Sequence, residues 1–273
     1  MTVPRVLVRG GGDVGSAVAH RVFSAGGRVL LSEQPRSAHA RRGMAYTDAL
    51  FDGAAALDGI EARLMSDVAG VLACWASARC IPVVTLAEEL LLQGIVFDVI
   101  VDATMRRHWT PPDLRAYAAR AVGLGPGYQA GVNCHVAIES QWGPAMGMVL
   151  REGATAQRAG GPRPLAGVGR ERFVSAPLDG CWRTRATLGQ PVRAGEQVGI
   201  LGKVVLHAPL DGYLRGLTRD GVEVKTGQRI LEVDPRDPPQ IFGLGERPVA
   251  IANGVLEALE GLGLRSVPHG SSR

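Results

Sequence analysis

Aromatic residues are scarce in this 273-residue chain: four Trp, four Tyr and five Phe, 5% of the total. Its four cysteines, Cys74, Cys80, Cys134 and Cys181, form no C-x-x-C pair. That speaks against a structural zinc site and fits a reducing, cytoplasmic setting. No apolar run approaches the roughly 18 residues of a membrane span, so no membrane partner is expected. The first strand opens by Arg5, ahead of which no secretory leader fits. Runs of like charge are missing too. The arginines are scattered without aromatic interleaving, and a net charge of +4 does not mark a nucleic-acid binder. The H-E-x-x-H, G-x-S-x-G and P-loop lysine patterns are absent, and no metal site is expected. Mild basicity remains compatible with an anionic small-molecule ligand.

Glycine, by contrast, is abundant at one place. Gly10, Gly12 and Gly15 follow the apolar strand Val6-Leu7-Val8 with G-x-G-x-x-G spacing and lead into a helix. In that pattern Gly10 permits a tight turn, Gly12 a close approach of phosphate, and Gly15 close helix–strand packing. The first N–H groups of the helix have no partner within it and attract anions. A second strand, 28–32, ends in Glu33, about 20 residues after the turn, where a ribose hydroxyl would lie. Arg36, Arg41 and Arg42 stand where a 2′-phosphate would instead need a cation. Asp13 would repel a pyrophosphate unless it caps the helix.

Strands and helices alternate over residues 5–103, which predicts a parallel sheet with helices on both faces. From 104 to 165 glycine- and proline-punctuated strands follow, at 118–124, 132–139 and 146–151. Residues 166–236 contain a duplication. Ala176-Pro177-Leu178-Asp179-Gly180 recurs at 208–212, and at the same offset Gly189, Val192 and Gly195 meet Gly221, Val224 and Gly227. The expected domains are 1–165, Rossmann-like with a β extension; 166–236, an all-β unit; and 237–273, a linker, a helix near 247–262 and a polar tail from 265 to 273.

Asp102 ends a buried strand on the edge where ligands of open α/β sheets bind. Gly123, Gly125 and Gly127 follow another strand and offer backbone N–H groups for an anion. If that strand runs parallel to the first, both glycine turns, Glu33 and Asp102 line one cleft. Cys134 and His135 are adjacent, but alternation along a strand points them to opposite faces, so they do not form a nucleophile–base pair.

The duplicated unit resembles the barrel-sandwich hybrid of biotinyl and lipoyl carrier domains. Lys203 lies near the place of their carrier lysine, but its flanking residues differ, and no covalent biotin or lipoate is expected. The chain from residue 5 to about 260 resembles accessory proteins of the selenium-dependent molybdenum hydroxylase system. The resemblance rests on Arg9-Gly10-Gly11-Gly12-Asp13, Ala19-His20-Arg21, Glu33, Arg41-Arg42, Tyr46-Thr47-Asp48-Ala49, Asp102-Ala103-Thr104-Met105, Gly123-Leu124-Gly125-Pro126-Gly127-Tyr128, Cys134-His135, Glu139 and Asp234-Pro235-Arg236. The chain departs from that family at Arg106-Arg107-His108 and at Ser140–Pro144. The resemblance implies a Rossmann-like parallel sheet followed by an all-β barrel-sandwich domain. It also implies a dinucleotide or molybdopterin-type phosphorylated ligand and a molybdenum hydroxylase client. An NAD(P)-dependent oxidoreductase and a non-catalytic interaction protein are the alternative expectations, and whether any reaction is catalysed stays open.

Overall fold

The computed structural model describes residues 3–106, 110–157, 160–262 and 264. Arg107, His108 and the polar tail at 265–273 lie outside the described residues. The first part of the chain runs β1 (Arg5–Arg9), α1 (Asp13–Ser24), β2 (Arg28–Ser32), α2 (Ala49–Asp52), β3 (Ala54–Leu57), β4 (Ile60–Leu64), α3 (Val68–Ser77), β5 (Ile81–Val84), α4 (Glu88–Gly94) and β6 (Val99–Asp102). It continues with β7 (Arg120–Leu124), β8 (Gln129–Ala130), β9 (Val136–Ile138), β10 (Val149–Leu150) and β11 (Gly153–Ala154).

Nine of these strands build one sheet in the order β10-β9-β7-β6-β1-β2-β5-β4-β3. Its interior pairs are parallel. Both edges are antiparallel, β3 on β4 and β10 on β9. The β3–β4 reversal is a two-residue turn, Asp58 at φ 44° and Gly59 at φ 82°, the left-handed pair that suits a tight hairpin. Alternation along β1 sends Val6 and Val8 to one face and Leu7 to the other. The first face packs on α1 and on the C-terminal helix α5 (Glu246–Ala258), through Val14, Val18, Ile251 and Val255. The second packs on Trp75, Leu91, Phe97 and Leu114.

The remaining strands are β12 (Phe173–Ser175), β13 (Gly180–Thr184), β14 (Pro191–Val192), β15 (Gln197–Leu201), β16 (Val204–His207), β17 (Gly212–Leu217), β18 (Glu223–Val224) and β19 (Arg229–Asp234). They form two four-stranded antiparallel sheets, β12-β19-β17-β14 and β16-β15-β13-β18. The duplication is visible strand by strand: β13, β14 and β15 of the first copy begin 32 residues before β17, β18 and β19 of the second, since 212 − 180, 223 − 191 and 229 − 197 all equal 32. Each sheet takes two strands from each copy. Trp182, fully buried, fills the space between them and donates its indole N–H to Thr218 O (3.0 Å).

Two expectations are corrected. The expected Rossmann-like parallel sheet joined to an all-β barrel-sandwich domain is not what the chain forms. The large sheet is mixed, because the Asp58-Gly59 hairpin and the β9–β10 return add antiparallel strands at its two edges. Beyond it stand two antiparallel sheets, and the chain then returns through α5 to pack against α1 in the first layer. The strand expected over 132–139 is only Val136–Ile138. Asn133 accounts for the shortening: its Oδ1 accepts from Gln129 N (2.9 Å) while the Val132 and Asn133 amides donate to Gln129 O, folding the chain into a turn. His135 then accepts from the Ala121 amide through Nδ1 (2.9 Å).

Candidate functional site: a charged cleft on the carboxyl edge of the sheet

In a parallel sheet the carboxyl ends of the strands open on one edge. Here that edge meets β19 and forms a cleft of about 670 Å3. One wall is the first glycine turn with Gly10, Gly12 and Asp13; a second is the segment after β2, with Glu33, Gln34, His39 and Arg41. Arg9, Glu88, Thr104 and Arg106 form the floor, and Gln228, Arg229 and Glu232 face them from the duplicated unit. Phe173 and Arg247 close it.

Packing dictates the glycines. A Cβ on Gly15 would sit 1.8 Å from Gly10 O, and one on Gly10, at φ 95°, would sit 2.8 Å from Thr104 Cα. Gly12 is different: its Cβ would meet only the His39 ring, at 3.3 Å.

Two donors of the turn, the Gly11 and Val14 amides, are already in use. Gly11 N–H donates to Glu33 Oε2 (2.7 Å), and Glu33 Oε1 accepts from Gln34 N (2.6 Å). Val14 N–H donates to Asp13 Oδ1 (3.0 Å), while Asp13 Oδ2 pairs with Arg41 (3.2 Å). The protein thus places two carboxylates of its own where a pyrophosphate would seek N–H groups. Burial pushes the Asp13 carboxyl up, but Arg41, His39 and Arg247 together hold it below the usual carboxylate range.

Arg41 continues to Glu232 (2.6 Å), whose other oxygen accepts from Arg172 and Arg215, each at 3.0 Å. This chain of charges joins the N-terminus of α1 to β19. The 38–42 segment is also sewn to β17 through its backbone, Leu217 N–H to Ala40 O (2.8 Å) and Thr218 Oγ1–H to Ala38 O (3.1 Å). His39 lies over the turn. Burial drives its imidazole below the ordinary histidine pKa, and its Nε2 is enclosed without a hydrogen-bond partner among the described residues.

Of the residues expected at a ligand site, the structure brings Gly10, Gly12, Asp13, Glu33 and Arg41 to the cleft. Gly15 packs behind the turn against Gly10 O. Arg42 is turned away, held by Asp48 (2.7 Å) and Leu217 O (2.8 Å), and Arg36 is not among the lining residues. Asp102 is buried and accepts from Arg9 (2.9 Å) and from Thr104 N–H and Oγ1–H (2.9 and 2.7 Å), so it orients the floor from beneath. Strand β7 does run parallel to β6. Yet Gly123, Gly125 and Gly127 do not reach the cleft, because Tyr128, Ser140 and Pro111 cover them. The single cleft expected from both glycine turns is therefore corrected to one turn facing the duplicated unit.

Sequence reasoning passed over His39, Gln228, Arg229 and Glu232. A signal was available in the duplication. At the offset of 32, Gln228, Arg229 and Glu232 stand where the first copy has Glu196, Gln197 and Ile200. Glu196 and Gln197 are polar already, so the signal is the one exchange of Ile200 for Glu232.

No family model matches the chain. It is 34% identical over 257 residues to protein YqeB of Escherichia coli (strain K12), which is named without an activity. The match covers 93% of this chain and 47% of that protein, so the chain spans about half the length of the curated relative it matches. Among solved structures, the ectoine utilization protein EutE (DoeB) from Ruegeria pomeroyi aligns at 14% identity and a TM-score of 0.27, covering 86% of this chain and 87% of that one. An aspartoacylase family protein from Mesorhizobium loti aligns at 12% and 0.27, and a succinylglutamate desuccinylase/aspartoacylase from Rhodobacter sphaeroides at 13% and 0.27, each over 86% of both chains. Overlaps of this quality transfer neither fold nor activity.

These findings correct the functional expectations. The solved structures named above are ectoine-utilization and aspartoacylase-type proteins, and the comparisons lend no support to a selenium-dependent molybdenum hydroxylase accessory protein or an NAD(P)-dependent oxidoreductase. The site adds a physical reason against a dinucleotide or molybdopterin-type phosphate on the turn: Glu33 and Asp13 place their carboxylates there and hold the Gly11 and Val14 N–H groups. Among the described residues no helix is long and apolar enough to cross a membrane, and no group of His, Cys, Asp and Glu could hold a metal ion.

Proposed function

We propose that the protein binds a small polar molecule carrying an anionic group in the cleft on the carboxyl edge of its sheet. The observation that carries this reading is the lining. Five arginines, Arg9, Arg41, Arg106, Arg229 and Arg247, converge with His39 on one cavity of about 670 Å3, within the size range of small-molecule sites. A guanidinium offers five N–H donors, so an arginine already paired within the protein still has donors for a ligand. The anion is seated towards the arginines of β19 and α5, not on the glycine turn, whose own carboxylates repel it. Glu33, Asp13 and His39 then face the hydroxyl or amino groups of the same molecule. The segment 166–236 serves in this reading as the cover of the cleft, contributing Phe173, Gln228, Arg229 and Glu232. A cytoplasmic setting accompanies it, consistent with cysteines that are all free thiols.

The test is thermal unfolding with a panel of small hydroxy- and amino-carboxylates and phosphate monoesters, repeated on Arg229→Met and Gln228→Ala. A ligand present at ten times its Kd stabilises by about 1.4 kcal/mol, a rise of about 2–4 °C for a chain of this size. The expected result is such a rise with at least one compound class, lost in Arg229→Met. Equal shifts in both variants and the parent protein would move the ligand out of this cleft.

A further inference from the structure

On the amino edge of the sheet, opposite the cleft, two thiols face each other. Cys74 lies in the last turns of α3, which ends at Ala78 in a left-handed conformation (φ 51°). The chain doubles back and enters β5 at Ile81, with Cys80 immediately before it. This reversal puts Cys74 Sγ 2.9 Å from Cys80 Sγ and 3.3 Å from Cys80 O. A disulfide needs only about 0.9 Å of further approach, to 2.05 Å, and the hinge is a short turn at the end of a helix. The pair is shielded but not sealed, with Cys74 6% and Cys80 8% exposed. Cys134 is wholly buried just before β9 and Cys181 lies on β13, so neither competes at short range.

We propose that Cys74 and Cys80 are an oxidisable dithiol that a peroxide converts to a disulfide. The Cys74 thiol is pushed up to about 12 by burial and then by its contact with Cys80, so it stays protonated. Cys80 supplies the attacking sulfur. Its sulfur takes one peroxide oxygen, the O–O bond breaks, and the leaving hydroxide takes up the Cys80 proton to become water. The Cys74 sulfur attacks the resulting sulfenic acid; the S–S bond forms as the S–O bond breaks, and the hydroxyl leaves as water with the Cys74 proton. Two thiols lose two electrons and one hydrogen peroxide becomes two waters. The crosslink ties the end of α3, which covers the sheet through Trp75 and its N–H bond to Val29 O (2.8 Å), to the start of β5. It leaves the cleft on the opposite edge in place.

Hydrogen peroxide treatment of the whole protein, followed by alkylation and intact mass measurement, tests the assignment. The expected result is a loss of about 2 Da and a fall in titratable thiols from the four of the chain to two, reversed by dithiothreitol. Trypsin cuts after Arg79, between the two cysteines, so the bridged product is a linked pair of peptides, 64–79 with 80–106. Cys74→Ser should abolish the linked pair and leave Cys80 oxidised singly. Four thiols remaining under peroxide overturn the proposal. So does oxidation confined to Cys181, or separate oxidation of Cys74 and Cys80 with no linked peptides.

Discussion

Glu232→Gln tests whether the charge chain between α1 and β19 holds the cleft together. Glu232 is 2% exposed, and its carboxylate accepts from Arg41, Arg172 and Arg215. Neutralising it leaves guanidiniums facing one another in a desolvated space. Breaking a buried ion pair by removing one partner costs about 3–5 kcal/mol. Here each arginine keeps other bonds: Arg41 to Asp13, Arg172 to Val168 O and Gly169 O, Arg215 to Gln240 O. The expected loss is therefore at the lower end, about 3 kcal/mol, read as a lower urea midpoint at unchanged m-value. The pH dependence carries a second signature. Burial pushes the Glu232 carboxyl up, but Arg41 and Arg215 with the hydrogen bonds of Arg41 and Arg172 outweigh it and hold the pKa below its usual 4.5. A carboxyl lowered on folding contributes stability that is fully present above the unfolded pKa. That stability is lost as pH falls through the lower folded value, and Glu232→Gln should remove this part of the acid dependence. A loss under about 1 kcal/mol, with the acid limb unchanged, would place the cluster in the regime of surface pairs and refute the reasoning.

Three further outcomes are expected. Gly15→Ala drives a methyl into Gly10 O at 1.8 Å and should cost more than about 3 kcal/mol; thermal unfolding within a few degrees of the parent would contradict the packing described. Glu33→Gln weakens the acceptor of the Gly11 and Gln34 amides. It should cost about 1–2 kcal/mol and speed hydrogen exchange at Gly11, which NMR reads directly. Asp67 caps α3 by accepting from Gly70 N–H (2.7 Å); Asp67→Ala should lower stability by about 1 kcal/mol in urea unfolding, and no change would mean that the cap is not formed in solution.

What was legible in the sequence was local or repeated. The glycine turn between β1 and α1 announces itself because only glycine fits where Gly10 and Gly15 meet the backbone. The offset of 32 is visible because both copies keep the same turn glycines. The Asp58-Gly59 pair was equally legible as a hairpin and was passed over, and with it the mixed character of the sheet. The cleft was not legible in the same way. Its partners are far apart in the chain, with Arg41 meeting Glu232 across 191 positions, and no periodicity encodes that meeting. Nor does a residue type reveal what its atoms are doing: Glu33 stands in the place expected of a ribose ligand, yet its oxygens hold Gly11 and Gln34.

The exchange of strands between the two copies has a consequence for how this part of the molecule comes into being. β12 pairs with β19, whose first residue lies 56 positions later (229 − 173), so the sheet closes only after both copies have left the ribosome. High contact order of this kind slows folding, and residues 166–203 alone have no partner for β12 or β14. A single copy is half an object. Standing alone it would complete both sheets only by pairing with an identical chain about a twofold axis, and the present chain carries that dimer fused into one polypeptide. Within one polypeptide the two halves need not be identical. One copy holds Glu196, Gln197 and Ile200 on its surface, while Gln228, Arg229 and Glu232 of the other form the wall of the cleft.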